Sequence, residues 1–169
     1  TNGKSSIADF YYQILDLNNK KVASIGTLGI KSKKYKKNLS NTTIDPIQLS
    51  KILNKLKKQN INNVIMEASS HGLSQNRLDG LLFNTGIFTN LSQDHLDYHK
   101  NTKNYLKAKL YLFEKLIKTK GTIITDEKIP EFKKIKNIAT NKNLNLFTLL
   151  DKKNNFQFLS HQYEHESQL

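Results

Sequence analysis

The sequence predicts an α/β fold in which a mainly parallel sheet is flanked by helices. Three observations support this fold. Short apolar runs alternate with stretches of helical periodicity along the chain. Polar side chains follow several of the apolar runs, at the strand ends where open parallel sheets bind ligands. The chain also begins with TNGKSS, which resembles the end of a phosphate-binding loop that leads into a helix.

The individual elements follow from local patterns. In the first helix, Ile7, Tyr11 and Ile14 share one face. Asp45 as N-cap and Pro46 at the first helical position start the second helix. In chain order we expect a helix over residues 4 to about 17, a strand over 22–27, an exposed lysine-rich loop or hairpin over 31–38, a helix from 46 to about 60, strands over 63–68 and 85–90, a helix capped by Thr102, and a strand over 121–125.

Length and composition limit the class of protein. The 169 residues, 37% of them hydrophobic, suit a single domain with one core. No apolar run approaches the roughly 18 residues that span a bilayer, and no signal segment begins the chain, so no membrane partner is expected. The absence of cysteine excludes disulfides and thiolate metal sites, and it agrees with a reducing cytoplasm as the location.

The formal net charge of +13 raises the question of a nucleic-acid partner. Nearly all of this charge is lysine, and Arg77 is the only arginine in the chain. Proteins that read nucleic acids use arginine for bidentate contacts and aromatic rings for stacking, and neither pattern occurs here. A solvated lysine surface is therefore the favoured interpretation, with a basic nucleic-acid-binding module as the alternative.

The first residues carry the phosphate-binding signal. In such loops, backbone N–H groups and a lysine hold phosphates, while the hydroxyl after the lysine reaches Mg²⁺. Gly3, Lys4 and Ser5 match the end of this pattern, and a helix follows at once. The alternatives are an ordinary Asn-Gly turn into a helix and a nucleotide-binding switch protein.

A second signal is the stretch MEASSHGLSQNR at residues 66–77. It places Glu67 at the end of an apolar strand, where a carboxylate is costly unless a cation such as Mg²⁺ meets it. Ser69, Gln75 and Arg77 follow in a loop whose hydroxyls, amide and guanidinium suit a polar, anionic ligand. The alternative is a turn that carries a surface arginine.

A third signal is FTNLSQDHLDYH at residues 88–99, where a strand delivers acidic and imidazole side chains at its exit. His95 or His99 could bind a metal, although isolated histidines are more often surface or capping residues. Lys109 shares a helix face with apolar residues, so desolvation would lower its pKa and leave a neutral amine able to capture CO₂. From the residues alone, a lysine that extends past the core to solvent is the favoured interpretation.

The last part of the chain contains a short motif that resembles a zinc site. HQYEH at residues 161–165 matches the H-x-x-E-H pattern of inverted zinc peptidases. The residues before it look extended rather than helical, and too few residues follow His165 to supply another ligand. A chance match is the preferred interpretation.

Together and in this order, these motifs resemble the Mur ligase family, in particular the members that add the third amino acid to UDP-N-acetylmuramoyl-L-alanyl-D-glutamate. The resemblance covers about the first 115 residues. It runs through TNGKSS, GTLG, NTT, MEASSHGLSQNR, FTNLSQDHLDYH and KAKLYLF. It implies a cytoplasmic, ATP-dependent ligase of peptidoglycan synthesis, with functions in cell shape and division. Such an enzyme phosphorylates the substrate carboxylate to an acyl phosphate, which the amine of a diamino acid, meso-diaminopimelate or L-lysine, attacks.

The resemblance also implies roles for matching residues. The catalytic residues would be Lys4, Glu67, His95 and Lys109. Two Mg²⁺ ions are implied, the first bound by Ser5 and Glu67 and the second by His95 and by Lys109 carbamylated with CO₂. ATP would be held by Thr1, Asn2, Gly3, Lys4, Ser5 and Ser6. The UDP-muramoyl dipeptide would be held by Asn41, Thr42, Thr43, Ser69, Gln75 and Arg77.

The chain also departs from the family pattern. Members carry a strand and a glycine before the residue that matches Thr1, and DEKIPEF stands after residue 125 where an Asn-Ala-Asp-Asp-like run is common. We therefore expect residues 1–169 to be part of a central ATP-binding domain, incomplete at both ends, without the uridine-binding and amino-acid-binding domains. Such a fragment is expected to be monomeric and inactive alone.

Overall fold

A computed structural model describes residues 2–92 and 94–149 of the chain, so the HQYEH motif lies outside the described residues. Within them the chain forms six α-helices, seven strands and one π-helical turn. None of the helices in this part of the chain is both long and apolar enough to span a bilayer. The elements are α1 (Lys4–Leu17), β1 (Val22–Gly26), β2 (Gly29–Ser32), β3 (Tyr35–Lys37), α2 (Pro46–Lys58), β4 (Asn63–Met66), α3 (Ser70–Ser74), β5 (Phe83–Phe88), α4 (Leu96–His99), α5 (Thr102–Tyr111), the π-helical turn Leu112–Leu116, β6 (Ile117–Thr125), α6 (Phe132–Asn141) and β7 (Asn145–Thr148).

The strands form two sheets, and most of the pairing is parallel. The first sheet has the order β3-β2-β1-β4, in which β1 and β4 are parallel and the β2–β3 hairpin is antiparallel. The second sheet has the order β5-β6-β7 and is parallel throughout. The predicted α/β fold with a mainly parallel sheet is confirmed.

Each sheet has its own apolar core. Ile25 and Ile30 of the first sheet pack with Leu49 and Leu56 of α2. In the second core, Phe113 packs with Phe88 of β5, Ile123 of β6 and Ile135 of α6. Phe83 and Leu112 pack against both clusters, so the two cores are continuous at that point.

The local sequence signals predicted the start of the second helix, α2, correctly. Its N-cap is Asp45, whose side chain accepts a hydrogen bond from the Gln48 N–H at 2.9 Å, and Pro46 is its first residue. The cap predicted for α5 is wrong by one residue, because Asn101 caps it and accepts from the Asn104 N–H at 2.8 Å. An extended Asn101 presents its short amide to the free N–H groups of the first turn, while Thr102 is already helical.

Other element bounds also differ. Strand β4 ends at Met66, so Glu67 begins the following loop, and β6 starts at Ile117 rather than near Gly121. On α1, Tyr11 and Ile14 are 37% and 59% exposed rather than buried. Ala8 is the buried residue of this helix, because a small side chain allows close approach to the sheet.

Candidate active site

The start of α1 lies at the carboxyl ends of strands from both sheets. Its N-cap is Gly3, with a φ of 87°, which glycine adopts without a Cβ penalty. Asn2, the residue before Gly3, is held by Asn90, which lies just after β5. The Asn90 Oδ1 accepts from the Asn2 N–H and the Asn90 Nδ2 donates to the Asn2 carbonyl, both at 3.1 Å. Free N–H groups at a helix start attract anions, so this turn can bind phosphate.

The described members of the predicted ATP residues, Asn2 to Ser6, thus lie together at the start of α1. Lys4 and Ser5 are half-buried, while Asn2, Gly3 and Ser6 are exposed. Thr1 lies outside the described residues. No acidic side chain stands in the first turn of α1 to compete with a bound anion.

Glu67 is buried against this turn. Its side chain is 4% exposed, and its Oε2 accepts from the Ser5 hydroxyl at 2.8 Å. Thr27, directly after β1, donates its N–H to Oε1 at 2.8 Å and its hydroxyl to Oε2 at 3.2 Å. Gly26 leaves the space that the carboxylate fills, since a Cβ there would lie 2.6 Å from the Glu67 Cγ and Cδ. The carboxylate is thereby held in one orientation at the start of α1.

This donor set fits a magnesium ion. Carboxylate and hydroxyl oxygens are the ligands that Mg²⁺ prefers, and the ion usually takes the rest of its shell from phosphates and water. Ser5 and Glu67 already bring one hydroxyl and one carboxylate within 2.8 Å of each other. Among residues 2–92 and 94–149, no group of three or more His, Cys, Asp or Glu side chains could hold a metal without such help.

Lys109, a residue of α5, also lies near the start of α1, beside Asn90. Its Nζ donates to the Asn90 carbonyl at 3.3 Å and lies 5.5 Å from the ring centre of Phe88 and 5.1 Å from that of Tyr105. Desolvation by these neighbours, with a smaller contribution from the charge of Lys4, lowers the pKa of Lys109 to about 8. The structure therefore supplies an amine that loses its proton far more easily than an exposed lysine does.

His95 is exposed beside the same group of residues. It adopts the left-handed conformation, with a φ of 54°, as N-cap of α4. Its Nε2 lies 3.4 Å from the Asp94 Oδ2, and its ring packs edge-on against Tyr105 at 6.2 Å. Because Lys109 contacts the same Tyr105 ring, the two predicted ligands of a second metal lie on one patch of the protein.

The residues predicted for the muramoyl substrate fall into two groups. The first group holds the loops together. The Thr43 hydroxyl, on a residue 2% exposed, donates to the Glu67 carbonyl at 3.0 Å and accepts from the Ser69 N–H at 2.9 Å. The Ser69 hydroxyl accepts from the Gly72 N–H at 3.1 Å, and Arg77 donates to the Thr43 carbonyl at 2.7 Å.

The second group is more accessible to solvent. Asn41 and Gln75 are exposed, and Thr42 is half-buried. The Thr42 hydroxyl lies 2.9 Å from the Thr27 hydroxyl, so this residue connects the substrate side to the Glu67 carboxylate. The Gln75 Nε2 donates to the Tyr98 hydroxyl at 3.2 Å.

Three residues of this site were not among the predicted ones. Thr27 and Gly26 shape the Glu67 pocket, and Asn90 clamps the start of α1. Their sequence signals were present but weak, because Gly26-Thr27 and Asn90 each lie at the end of a predicted strand. Position after a strand does not by itself say which loops meet.

Fold and site together define a phosphate-binding α/β domain in which a helix start, a buried carboxylate and a desolvated lysine meet. The whole chain, residues 1–169, matches the Mur ligase middle domain. The chain belongs to this family.

Curated relatives agree with the family. The chain is 46% identical over 148 residues to a UDP-N-acetylmuramoyl-L-alanyl-D-glutamate–2,6-diaminopimelate ligase of Wigglesworthia glossinidia brevipalpis, covering 85% of this chain and 30% of the relative. It is 48% identical over 113 residues to the ligase of the same name from Buchnera aphidicola subsp. Schizaphis graminum, covering 67% of this chain and 23% of the relative. The chain thus spans less than a third of the length of these relatives.

A solved structure supports the same assignment. It is titled as the structure of a UDP-N-acetylmuramoyl-L-alanyl-D-glutamate–2,6-diaminopimelate ligase, and it matches with a TM-score of 0.75 at 28% identity. The match covers 90% of this chain and 31% of that chain.

Proposed function

We propose that this chain supplies the ATP-binding part of a ligase that joins 2,6-diaminopimelate to UDP-N-acetylmuramoyl-L-alanyl-D-glutamate in peptidoglycan synthesis. The names of relatives at 46% and 48% identity support diaminopimelate rather than L-lysine as the amino acid. The observation that carries the proposal is the 2.8 Å contact between Ser5 and Glu67, which places a buried carboxylate at the phosphate-binding turn.

In this proposal the protein groups mainly bind and orient ATP. The N–H groups at the start of α1, with Asn2, Gly3 and Ser6 beside them, hold the phosphates, and Lys4 faces the transferred phosphoryl group. Thr1, which lies outside the described residues, would be a further ATP contact. A lysine and oriented N–H groups stabilise the charge that develops on the phosphoryl oxygens during transfer.

Ser5 and Glu67 would hold the first Mg²⁺, and His95 and Lys109 a second. When bound, these ions neutralise charge on the phosphates and on the acyl phosphate that forms from the substrate carboxylate. Thr27 keeps the Glu67 carboxylate turned towards Ser5 through two hydrogen bonds. Those bonds organise the carboxylate before any ligand arrives.

We also propose that Lys109 acts as a carbamate. With a pKa of about 8, roughly a quarter of the Lys109 amines would be neutral at pH 7.5. The neutral amine attacks the carbon of CO₂ and releases one proton, which leaves an anionic oxygen ligand beside His95. This step converts a cation that would repel Mg²⁺ into a group that binds it.

The substrate side would consist of the exposed Asn41 and Gln75 and the half-buried Thr42 as contacts. Thr43, Ser69 and Arg77 would shape the loops around the muramoyl dipeptide, in keeping with their internal hydrogen bonds. Parts of the protein outside this chain would bind uridine and the incoming amino acid, and the enzyme would act in the cytoplasm as a monomer.

The first experiment follows ADP release by the whole protein that contains this chain. Release should require ATP, the UDP-muramoyl dipeptide and diaminopimelate together. The variant Glu67→Gln should be slower by about 100-fold or more, because the buried carboxylate is lost from the phosphate site. Glu114→Gln, on the π-helical turn, is the matched control and should retain activity. ADP release without either co-substrate would identify a nucleotide switch instead.

The second experiment tests the carbamate. Lys109→Ala should nearly abolish ligation, and added short carboxylates such as acetate or formate should restore part of it by occupying the space of the carbamate. Lys107→Ala removes an exposed lysine from the same helix and should behave as wild type. Undiminished activity of Lys109→Ala would remove the carbamate from the proposal.

A further inference from the structure

Tyr98 lies where the loop that carries His95 meets the predicted substrate loop. Its ring packs in a cluster with two imidazoles: the His71 ring centre lies 4.2 Å away, the His99 ring packs edge-on at 4.8 Å, and these two imidazole centres are 5.6 Å apart. His99 is 5% exposed and stacks on Tyr105 at 5.1 Å. These ring contacts therefore restrain the Tyr98 ring, although 38% of the residue is exposed.

The hydroxyl of this ring reaches the substrate loop. It accepts a hydrogen bond from the Gln75 Nε2 at 3.2 Å. Gln75 is the C-cap of the short helix α3, and no other hydrogen bond of its side chain is seen in the described part of the chain. Tyr98 is thus the partner that orients this exposed amide.

We propose that Tyr98 is a positioning residue, whose hydroxyl holds the Gln75 amide in the orientation that receives the UDP-muramoyl dipeptide. This inference rests on the proposed function, since Gln75 is one of its substrate contacts. It adds a residue of α4, the short helix that His95 caps, to the substrate side of the site.

The position of the Gln75 amide matters for binding because its two polar groups differ chemically. A glutamine side chain presents an oxygen that accepts and an NH₂ that donates, and rotation by half a turn exchanges them. In the structure Nε2 donates to the Tyr98 hydroxyl, which leaves the Oε1 available to accept from a ligand. Without the hydroxyl, the side chain loses this anchor and samples other rotamers, and the ligand must order it on binding.

The test replaces Tyr98 with phenylalanine in the whole protein. Tyr98→Phe keeps the ring packed against His71 and His99 and removes only the hydroxyl. The KM for the UDP-muramoyl dipeptide should rise about two- to tenfold, the range of one hydrogen bond. The kcat and the KM for ATP should stay within about twofold, because the phosphate site is untouched.

The matched control is Tyr111→Phe. That tyrosine also loses a hydroxyl that hydrogen-bonds a side chain, the Asp79 carboxylate at 2.9 and 3.0 Å, and it should leave the dipeptide KM unchanged. An equal rise in both variants would attribute the effect to general loss of structure and overturn the inference.

A double-mutant cycle gives the second readout. In a Gln75→Leu background, adding Tyr98→Phe should raise the dipeptide KM no further, because the amide that the hydroxyl orients is already gone. Additive effects would overturn the inference, as would an unchanged KM in Tyr98→Phe. If Tyr98→Phe is less stable than the wild type, with a lower urea midpoint of unfolding, Gln75→Leu supplies the second measurement. It must raise the KM for the dipeptide while the kcat stays unchanged.

The two levels of the proposal fail differently. A wild-type protein that releases no ADP with the dipeptide and diaminopimelate contradicts the proposed function, and the role of Tyr98 falls with it. A wild-type protein that ligates, with Tyr98→Phe indistinguishable from it, contradicts the role of Tyr98 alone.

Discussion

Replacing Gly26 with alanine would put a methyl group into space that the Glu67 carboxyl group occupies. The new Cβ would fall against the Glu67 Oε1 and lie 2.6 Å from its Cγ and Cδ. Real Cβ atoms are not found so close to other heavy atoms, so the side chain of Glu67 has to turn away. Turning away breaks its hydrogen bonds with Ser5 and Thr27.

The expected cost combines three contributions. Overpacking in a closed space costs about 1–3 kcal/mol, and loss of one hydrogen bond to a charged group costs about 1.5–3 kcal/mol. Exchange of glycine for alanine stiffens the unfolded chain and offsets about 0.4–1 kcal/mol. We therefore expect Gly26→Ala to lower the free energy of unfolding by about 2–5 kcal/mol.

The assay is urea unfolding followed by circular dichroism, on Gly26→Ala, Glu67→Ala and the double variant. Because the three heavy atoms nearest to the new Cβ all belong to Glu67, the alanine at residue 26 should cost less than about 1 kcal/mol once that side chain is removed. An equal cost in both backgrounds, or a cost below about 0.5 kcal/mol in the wild type, would refute the close contact described here.

Two further predictions concern a helix cap and a titrating amine. Asp45→Ala should lower the free energy of unfolding by about 0.5–2 kcal/mol through loss of the bond to the Gln48 N–H. Asp45→Asn, which can still cap, should lose much less in the same urea titration. Because burial and Lys4 lower the pKa of Lys109 from 10.5 to about 8, the unfolded chain binds that proton more tightly than the folded one between these values. The wild type should gain stability relative to Lys109→Met as pH rises through that window, and urea midpoints that move in parallel would contradict the lowered pKa.

Much of the fold follows from short-range patterns. Asp45 and Pro46 mark a helix start, and their effects act within one turn. The α1 helix also has the bounds that its periodicity indicates. Errors arose where two local signals competed, as at Asn101 and Thr102, which are both good capping residues one position apart. The short helices α3 and α4 span five and four residues, too few for a periodic pattern to appear.

The candidate site divides in the same way. Glu67 could be picked out because a carboxylate at the end of an apolar strand needs a cation, and Lys4 because of the phosphate-loop pattern around it. The roles of His95 and Lys109 came from the family resemblance, since the residues alone favoured a surface histidine and a lysine that extends to solvent. Such local patterns indicate that a residue needs a partner. They do not identify the partner, because a local pattern carries no information on strand order or register.

By itself, then, the sequence determined the helices α1, α2 and α5, most of the strands and the motifs that carry the candidate residues, since all of these depend on neighbours within a few positions. The tertiary structure alone decided that Glu67 meets Ser5, 62 residues away, across the space left by Gly26, and that Tyr98 meets Gln75, 23 residues away. These contacts depend on which strands pair and how the loops after them pack, and that arrangement is set by burial of the whole core rather than by any one segment.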